Sequence, residues 1–218
     1  MEEIDTQHRC RPRRGAYQIS KRIIDVTFSL VALVLLSPVL LGLAAAIKMD
    51  SQGPVFYRGI RTGMHGRKFR IWKFRTMTVG AELEGTTTVL GDARVTSVGR
   101  FMRHTKLDEL PQFLNVLSGS MSIVGPRPEV EEHTNQYSAE EIAILSVKPG
   151  ITDFSSLRYF DMATELGQDN PHEHYVNKVR NEKNQLRLKY VKESSIRTDL
   201  SILGMTLAKV IRRLFGLA

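Results

Sequence analysis

Hydrophobic residues are concentrated in one run, from Ile23 to Ile47, which few polar side chains interrupt. As a helix this run would be roughly 37 Å long, enough to span a bilayer with tilt. Ser37-Pro38 lies near its midpoint, where proline removes a backbone donor and the serine hydroxyl can bond the carbonyl left free. We therefore predict a membrane helix over residues 20–48, either spanning or re-entrant with a bend at Ser37 and Pro38.

Positive charge on both sides of this run favours the re-entrant form. Residues 1–19 are rich in arginine and predict a flexible basic arm, and further basic residues follow the run from Lys48 onward. Positive segments tend to stay cytoplasmic, so neither flank is the one expected to be exported. Basic residues beside a membrane segment gain about 1 kcal/mol each at an anionic bilayer surface, which is where we expect the arm.

Residues 53–78 carry aromatic and aliphatic residues among polar ones and predict a small β-hairpin, with its turn between Gly63 and Gly66. In its second strand, Lys73 and Arg75 would point to the same face. That face is either a basic edge that discourages aggregation or a phosphate-binding surface.

The rest of the chain predicts loops and helices. Residues 80–99 and 151–170 read as loops, whereas the leucines from Leu107 to Leu114 predict one face of an amphipathic helix. Asn170-Pro171 is a typical helix start. Residues 199–214 predict a further amphipathic helix, which either lies in a membrane interface or packs on the core.

Composition sets the scale of the molecule. With 218 residues, 42% of them apolar and 25% charged, the chain predicts a helix-dominated α+β core over residues 49–218 and no wholesale disorder. The net charge of +8 favours anionic partners, whether nucleic acid, anionic lipid or phosphorylated small molecules. Cys10 is the only cysteine, so no intrachain disulfide can form, which fits a cytosol-facing location.

Two adjacent carboxylates, Asp108 and Glu109, lie among basic residues and are the main candidates for chemistry. They are either part of a solvated helix surface with weak ion pairs or a catalytic pair that handles an anionic substrate. Arg127 lies between two prolines, either as part of a structural turn or as a rigidly presented anion-binding group. His172 and His174 lack an evident third ligand, so they predict no zinc site.

Ordered blocks of sequence make the chain resemble the bacterial monotopic phosphoglycosyl transferases over about residues 20–215. The blocks are Lys21-Arg22-Ile23-Ile24-Asp25, Ser37-Pro38, Gly53-Pro54-Val55-Phe56, Lys73-Phe74-Arg75-Thr76-Met77, Asp92-Ala93-Arg94-Val95-Thr96, Leu107-Asp108-Glu109-Leu110-Pro111-Gln112, Asn115-Val116-Leu117, Met121-Ser122-Ile123-Val124-Gly125-Pro126-Arg127-Pro128 and Lys148-Pro149-Gly150-Ile151-Thr152. The resemblance implies that Asp108 and Glu109 are catalytic.

The resemblance also implies a reaction, in which a sugar 1-phosphate moves from a UDP-sugar to undecaprenyl phosphate and UMP is released. Asp108 would be the nucleophile that carries the phosphosugar, and Glu109 would help to hold Mg²⁺. The implied phosphate contacts are Lys73, Arg75, Arg94, Arg103 and Arg127. A helix that re-enters the membrane at the Ser-Pro break would hold the protein, as a monotopic enzyme of glycan assembly, on the cytoplasmic face of the bacterial inner membrane, against anionic phospholipid.

The chain departs from this family at positions that we expect to contact the nucleotide or the sugar. Asp153-Phe154-Ser155-Ser156 follows the Pro-Gly-Ile-Thr block where many members continue with Gly, and Arg187 stands where several have an acidic residue. The identity of the sugar is therefore open, although the compact form without extra membrane helices is typical of N-acetylated or amino-deoxy sugars. A homodimer is also left open. The alternative function is a non-enzymatic adaptor on the membrane surface; for the enzyme, nucleic acid is not an expected partner.

Overall fold

The structure, a computed structural model, describes residues 15–81, 91–160 and 179–216. Most of the predicted basic arm, the helix start at Asn170-Pro171 and the pair His172 and His174 lie outside these residues. The described part is a helix-rich α+β fold with three small two-stranded sheets, as the sequence predicts in outline.

The apolar run forms two helices, α1 (Gly15–Leu35) and α2 (Ser37–Asp50), which meet at an angle of 62°. Pro38 lies in the first turn of α2 and has no N–H to donate to the carbonyl of Val34. The Ser37 hydroxyl donates to that carbonyl instead, at 2.8 Å, as the sequence predicts. Among the described helices none is by itself long and apolar enough to cross a membrane, whereas this bent pair meets both criteria together.

Both ends of the bent pair contact the same core. In α1, Arg22 donates to the carbonyls of Val116 and Leu117, at 2.5 and 2.8 Å. Asp25, also in α1, is buried and accepts the backbone N–H of Ile123 at 3.0 Å. At the far end of α2, Ile47 is buried in an apolar cluster of that core. The two ends of the pair therefore lie on the same side of the bend.

The predicted hairpin is formed by β2 (Ile60–Thr62) and β3 (Lys68–Arg70), which pair antiparallel. The prediction of one continuous second strand is wrong, because the chain leaves β2 after Arg70 and the N–H of Trp72 donates to the side chain of Asn115 at 2.7 Å. A separate strand, β4 (Lys73–Phe74), then pairs with β1 (Phe56–Tyr57).

The centre of the core contains two parallel strands, β5 (Ser122–Val124) and β6 (Gly150–Thr152). A Cβ atom on Gly150 would overlap the backbone of Gly125, and one on Gly125 would overlap the carbonyl oxygen of Lys148. The prediction of a loop over residues 151–170 is wrong at its start, where the chain completes β6 and then forms the short helix α6 (Phe154–Arg158). Apolar side chains from β5 and α6 join others from along the chain in the main buried cluster, which contains Ile71, Val116, Met121, Ile123, Val124, Leu157, Tyr190 and Ile202.

The predicted amphipathic helix is instead a broken one. Helix α3 (Ser97–Thr105) ends at Lys106, whose φ is 61°, and the chain continues as a 3₁₀ turn (Leu107–Gln112) before α4 (Phe113–Ser118). Helix α3 thus begins inside the predicted loop 80–99. Leu114 is 37% exposed whereas Asp108 is 2% exposed, so the leucine face does not define the buried side. Asp108 is not on a solvated helix surface.

The other described helices complete the core. They are α5 (Glu131–Thr134), α7 (Arg180–Glu193) and α8 (Ile196–Leu214), with 3₁₀ turns at Met64–Gly66 and Glu141–Ser146. In α8, Ile202 is fully buried, whereas Leu207, Ile211 and Leu214 further along are 44%, 50% and 46% exposed. The first half of the predicted tail helix therefore packs on the core, and the second half leaves apolar side chains uncovered.

Candidate active site

The two carboxylates lie on the 3₁₀ turn, where β4 brings Lys73 against them. The Lys73 ammonium is 2.7 Å from Oδ2 of Asp108 and 3.5 Å from Oε1 of Glu109. Oδ1 of Asp108 is buried and has no hydrogen-bond partner among the residues that the structure describes. Burial of a carboxylate oxygen without a hydrogen-bond partner costs folding free energy, so this atom is a candidate for contact with a bound ligand.

Arg127 holds Glu109 through two hydrogen bonds, one from Nη1 to Oε2 at 2.9 Å and one from Nη2 to Oε1. Burial would raise the pKa of Glu109, but the charges of Arg127 and Lys73 outweigh it and hold that pKa well below its usual range. The carboxylate in turn raises the pKa of Arg127, although burial opposes this. Glu109 is therefore anionic at any physiological pH.

Arg127 is positioned by the two parallel strands. It follows β5, its backbone N–H donates to Oδ2 of Asp153 at 3.3 Å, and its Nη1 lies 3.4 Å from the carbonyl oxygen of Ile151 in β6. Asp153 is fully buried and also caps α6, accepting the N–H of Ser156 at 2.6 Å and the hydroxyl of Ser155. Asp153 and Ser155, expected to contact the nucleotide or sugar, are thus engaged in holding Arg127 and α6.

Arg103 also lies beside the carboxylates. Its Nε donates to the Thr76 hydroxyl at 2.8 Å. Burial lowers the pKa of Arg103, and the charge of Asp108 opposes that effect. The structure thus brings together Asp108, Glu109, Lys73, Arg103 and Arg127 from the predicted set.

Arg75 and Arg94 are used differently. The Arg75 guanidinium is buried and donates to the backbone carbonyls of Gln52 and, at 2.9 Å, Ser51, where it ties the end of α2 to the strand region. Arg94 pairs with Asp92 at 2.7 Å and lowers the pKa of that carboxyl through a side-chain hydrogen bond. The structure does not bring either guanidinium to the carboxylate pair, so their role in phosphate binding stays a prediction that these contacts disfavour.

One cation near the carboxylates was not among the predicted site residues. Lys106 is the left-handed residue that precedes the 3₁₀ turn, and it is half-buried. Burial lowers its pKa, while the charges of Glu109 and Asp108 raise it. The only sequence signal was its place within the basic surroundings of the pair, which did not distinguish it from its neighbours.

Behind Arg127 lies a buried ionic cluster centred on Glu129, which pairs with Arg187 and lies 4.0 Å from the Lys183 ammonium. Burial lowers the pKa of Lys183 to about 8. The Arg187 side chain is 1% exposed and also donates to Asn184, at 2.9 Å. Its guanidinium is therefore engaged inside the core, and a direct contact with nucleotide or sugar stays untested.

Within the described residues, the carboxylate pair is the candidate position for a divalent cation. The described residues contain no group of three or more His, Cys, Asp or Glu side chains that could enclose a metal ion. Mg²⁺, however, is usually bound through one or two carboxylates together with substrate phosphates. The Glu109 carboxylate fits that mode, since each of its oxygens keeps a lone pair beyond the bond that it accepts from Arg127.

The sequence of this chain matches one protein family over most of its length. Residues 16–213 match the family described as Bacterial sugar transferase, and the chain belongs to that family. A UDP-glucose:undecaprenyl-phosphate glucose-1-phosphate transferase of Klebsiella pneumoniae is 39% identical over 205 residues, which cover 91% of this chain and 41% of the relative.

Other relatives carry different names. A UDP-N-acetylgalactosamine-undecaprenyl-phosphate N-acetylgalactosaminephosphotransferase of Aeromonas hydrophila is 41% identical over 145 residues, which cover 65% of this chain and 34% of the relative. The sugar transferase EpsL of Bacillus subtilis is 34% identical over 194 residues, which cover 88% of each chain. The chain thus spans less than half the length of the first two relatives and most of the third.

Proposed function

We propose that this protein transfers a sugar 1-phosphate from a UDP-sugar to undecaprenyl phosphate, releasing UMP and forming undecaprenyl-diphosphate-sugar. The relatives from Klebsiella pneumoniae and Aeromonas hydrophila are named for such transfers. The observation that carries the proposal is Asp108, a buried carboxylate with one oxygen held by Lys73 and the other without a partner among the described residues.

The transfer takes place in two displacements at one phosphorus atom. In the first, Oδ1 of Asp108 attacks the β-phosphorus of the UDP-sugar, and the bond from that phosphorus to the bridging oxygen breaks, so that UMP leaves with the oxygen. In the second, a phosphate oxygen of undecaprenyl phosphate attacks the same phosphorus and the bond to Asp108 breaks, which restores the carboxylate. Dividing the transfer in this way lets the soluble nucleotide leave before the lipid arrives.

The surrounding cations make the attack of one anion on another feasible. Lys73 fixes the attacking carboxylate, and Arg103 and Arg127 offset the negative charge of the phosphoryl oxygens. Glu109 would help to hold Mg²⁺, which supplies further neutralisation of phosphate charge when it is bound. Glu109 also keeps the Arg127 guanidinium aimed at the nucleophile.

We further propose that the bent helix pair re-enters the membrane and rests in one leaflet, on the cytoplasmic face of the bacterial inner membrane. Arg22 and Ile47, near the two ends of the pair, contact one and the same core, which supports a re-entrant helix over a spanning one. Apolar residues around the bend, among them Leu35 at 72% and Leu41 at 72%, are exposed as a lipid-embedded segment requires.

The nucleophile is tested with Asp108→Asn in detergent-solubilised protein given UDP-sugars, Mg²⁺ and undecaprenyl phosphate. The wild-type protein should release UMP and, without the lipid, gain the mass of a sugar phosphate on the peptide that contains residue 108. Asn cannot form this adduct, so activity should fall by more than about 10³-fold. Glu132→Gln, an exposed acidic residue on α5, is the charge-matched control and should leave both signals unchanged.

Full activity of Asp108→Asn, or an adduct on another side chain, would refute the assignment. The adaptor alternative predicts instead that anionic vesicles are bound tightly, that salt abolishes this binding, and that Asp108→Asn changes nothing. A screen of UDP-sugars for UMP release would identify the donor, for which N-acetylated or amino-deoxy sugars remain the prediction.

A further inference from the structure

Lys106 is placed unusually for a surface lysine. It adopts a left-handed conformation with φ 61° directly before the 3₁₀ turn that carries Asp108, a conformation that is unfavourable for a residue other than glycine. Its ammonium lies 4.9 Å from the centre of the Phe160 ring. The backbone and the ring together hold this half-buried charge next to the carboxylate pair.

The other cations around the pair already donate to the protein. Lys73 is bonded to Asp108, Arg127 to Glu109, and Arg103 to Thr76. Across residues 15–81, 91–160 and 179–216, the Lys106 ammonium has no hydrogen-bond acceptor, and its close contact is the face of Phe160. A half-buried ammonium that donates to none of these residues retains its full capacity for an anionic ligand.

The other side of this position belongs to α8. Lys209 in α8 donates to the carbonyl of Leu157 at 2.7 Å, and its ammonium is 5.7 Å from the centre of the same Phe160 ring. Helix α8 also lies against α3, where Arg213 is 3.3 Å from His104. The uncovered apolar residues of α8, Leu207, Ile211 and Leu214, are on the same stretch of helix as Lys209.

These contacts place two ammonium groups at one aromatic ring, on the core side of a helix whose opposite side is apolar and uncovered. A UDP-sugar has no long hydrocarbon part for that surface, whereas a polyprenyl phosphate carries an anionic head on an apolar chain. We infer that Lys106, held against Phe160 with Lys209 at the same ring, binds the phosphate of the lipid acceptor and acts in the second displacement. This inference rests on the proposed function and assigns a separate phosphate position to the acceptor.

The experiment separates the two displacements. Wild-type protein and Lys106→Met are first given UDP-sugar alone, and formation of the adduct on Asp108 and release of UMP are timed. Undecaprenyl phosphate in detergent micelles is then added at increasing concentration, and loss of the adduct is followed. Lys106→Met should form the adduct at the wild-type rate, but half-maximal discharge should need about 10- to 100-fold more lipid, because a charge-assisted hydrogen bond is lost.

Three further variants control the result. Lys106→Arg should recover most of the affinity for the lipid, and Phe160→Leu should weaken it in the same direction as Lys106→Met while leaving the charge in place. Lys192→Met removes an exposed lysine of α7, which pairs with Glu140, and this variant should behave as the wild type. Phe160→Leu keeps the inference testable should Lys106→Met fold poorly.

An unchanged lipid dependence in Lys106→Met and Phe160→Leu would overturn the inference while the proposed function stands. A defect confined to adduct formation, with a higher requirement for UDP-sugar, would also overturn it, because the lysine would then serve the donor diphosphate. A wild-type protein that forms no adduct and releases no UMP would refute the proposed function itself.

Discussion

The Glu109–Arg127 pair is the strongest electrostatic feature at the scale of single residues. Burial alone would raise the pKa of this carboxylate, and the charges of Arg127, Lys73 and Lys106 reverse that effect. Glu109 therefore contributes stability that is present above its unfolded-state pKa of about 4.5 and is lost as the pH falls toward its lower folded-state pKa. The pair keeps a fixed negative charge beside Asp108.

Arg127→Gln should change the pH dependence of transfer in a defined direction. Without the guanidinium, burial is opposed mainly by Lys73, so the pKa of Glu109 should rise and the acidic limb of the pH–rate profile should move to higher pH. UMP release measured from pH 4 to 8 tests this. Arg67→Gln, an exposed arginine in the hairpin turn, should leave the limb in place. An unshifted limb in Arg127→Gln would show that Glu109 does not set it.

Individual residues also show how far sequence patterns reach. Lys73 and Arg127 are found at the carboxylate pair because a strand and a proline-flanked turn carry them there, and both features are visible in the sequence. Arg75 and Arg94 are equally basic, but their partners are backbone carbonyls and a carboxylate whose positions depend on the folded chain. Charge patterns do not reveal whether a guanidinium is already engaged. Lys106 is the opposite case: no sequence pattern distinguishes it, and its left-handed backbone and contact with Phe160 become visible only in the structure.

At the scale of secondary-structure elements, the backbone of helix α3 packs directly against the backbone of the segment that follows β4. Gly99 lies directly against the backbone of Thr76, and the N–H of Thr96 donates to the Thr76 carbonyl at 3.1 Å. Thr76 also accepts from Arg103, so this contact sets the distance between α3 and the residues that follow β4. Since the 3₁₀ turn continues from α3, the same contact helps to position Asp108.

Gly99→Ala should therefore destabilise the protein by about 1–3 kcal/mol, because the new methyl group would overlap backbone atoms that cannot move independently. Gly204→Ala is the matched control, since a Cβ there meets no atom within 4 Å and the position is inside α8. That change should stabilise by about 0.5–1 kcal/mol through helix propensity. Thermal unfolding in detergent measures both, and equal effects would contradict the packing argument.

The broken helix around the carboxylates is the element that sequence reasoning missed. Leucine spacing from Leu107 to Leu114 fits a regular helix, but Lys106 and Pro111 interrupt the backbone. A lysine in a left-handed conformation has no sequence signature, because tertiary contacts impose it. The apolar run, the hairpin turn and the Ser-Pro bend were predictable because local chemistry determines each of them.

At the scale of the whole molecule, the two helices of the bent pair are fixed to the core by hydrogen bonds from arginine side chains. Arg22 in α1 donates to the carbonyls at the end of α4, and Arg75 donates to the carbonyls of Ser51 and Gln52 at the end of α2. If the pair enters a bilayer at its bend, these contacts keep the carboxylate site at the level of the lipid headgroups. The predicted basic arm would then lie on the same side as the core.

Pro38→Ala tests this arrangement, because it restores an N–H that can bond the Val34 carbonyl and so favours a continuous helix. Asp5→Cys, in a Cys10→Ser background, reports the side on which the N-terminus lies through labelling with an impermeant maleimide in intact cells. The N-terminus should be protected with Pro38 present, and a fraction should become labelled in Pro38→Ala. Pro54→Ala, outside the bend, should stay protected. Labelling of the otherwise unchanged protein would indicate a spanning helix.

The contacts of Arg22, Asp25 and Ile47 have a consequence for anyone who tries to divide this protein. A segment that closes a helix end, satisfies a strand amide and fills an apolar cluster belongs to the folding unit and cannot be exchanged like a tether. Excision of residues 15–50 would leave carbonyls without donors and a gap beside Phe74 and Met102. A water-soluble form would have to keep those inner contacts and replace only the exposed apolar side chains of the bent pair with polar ones.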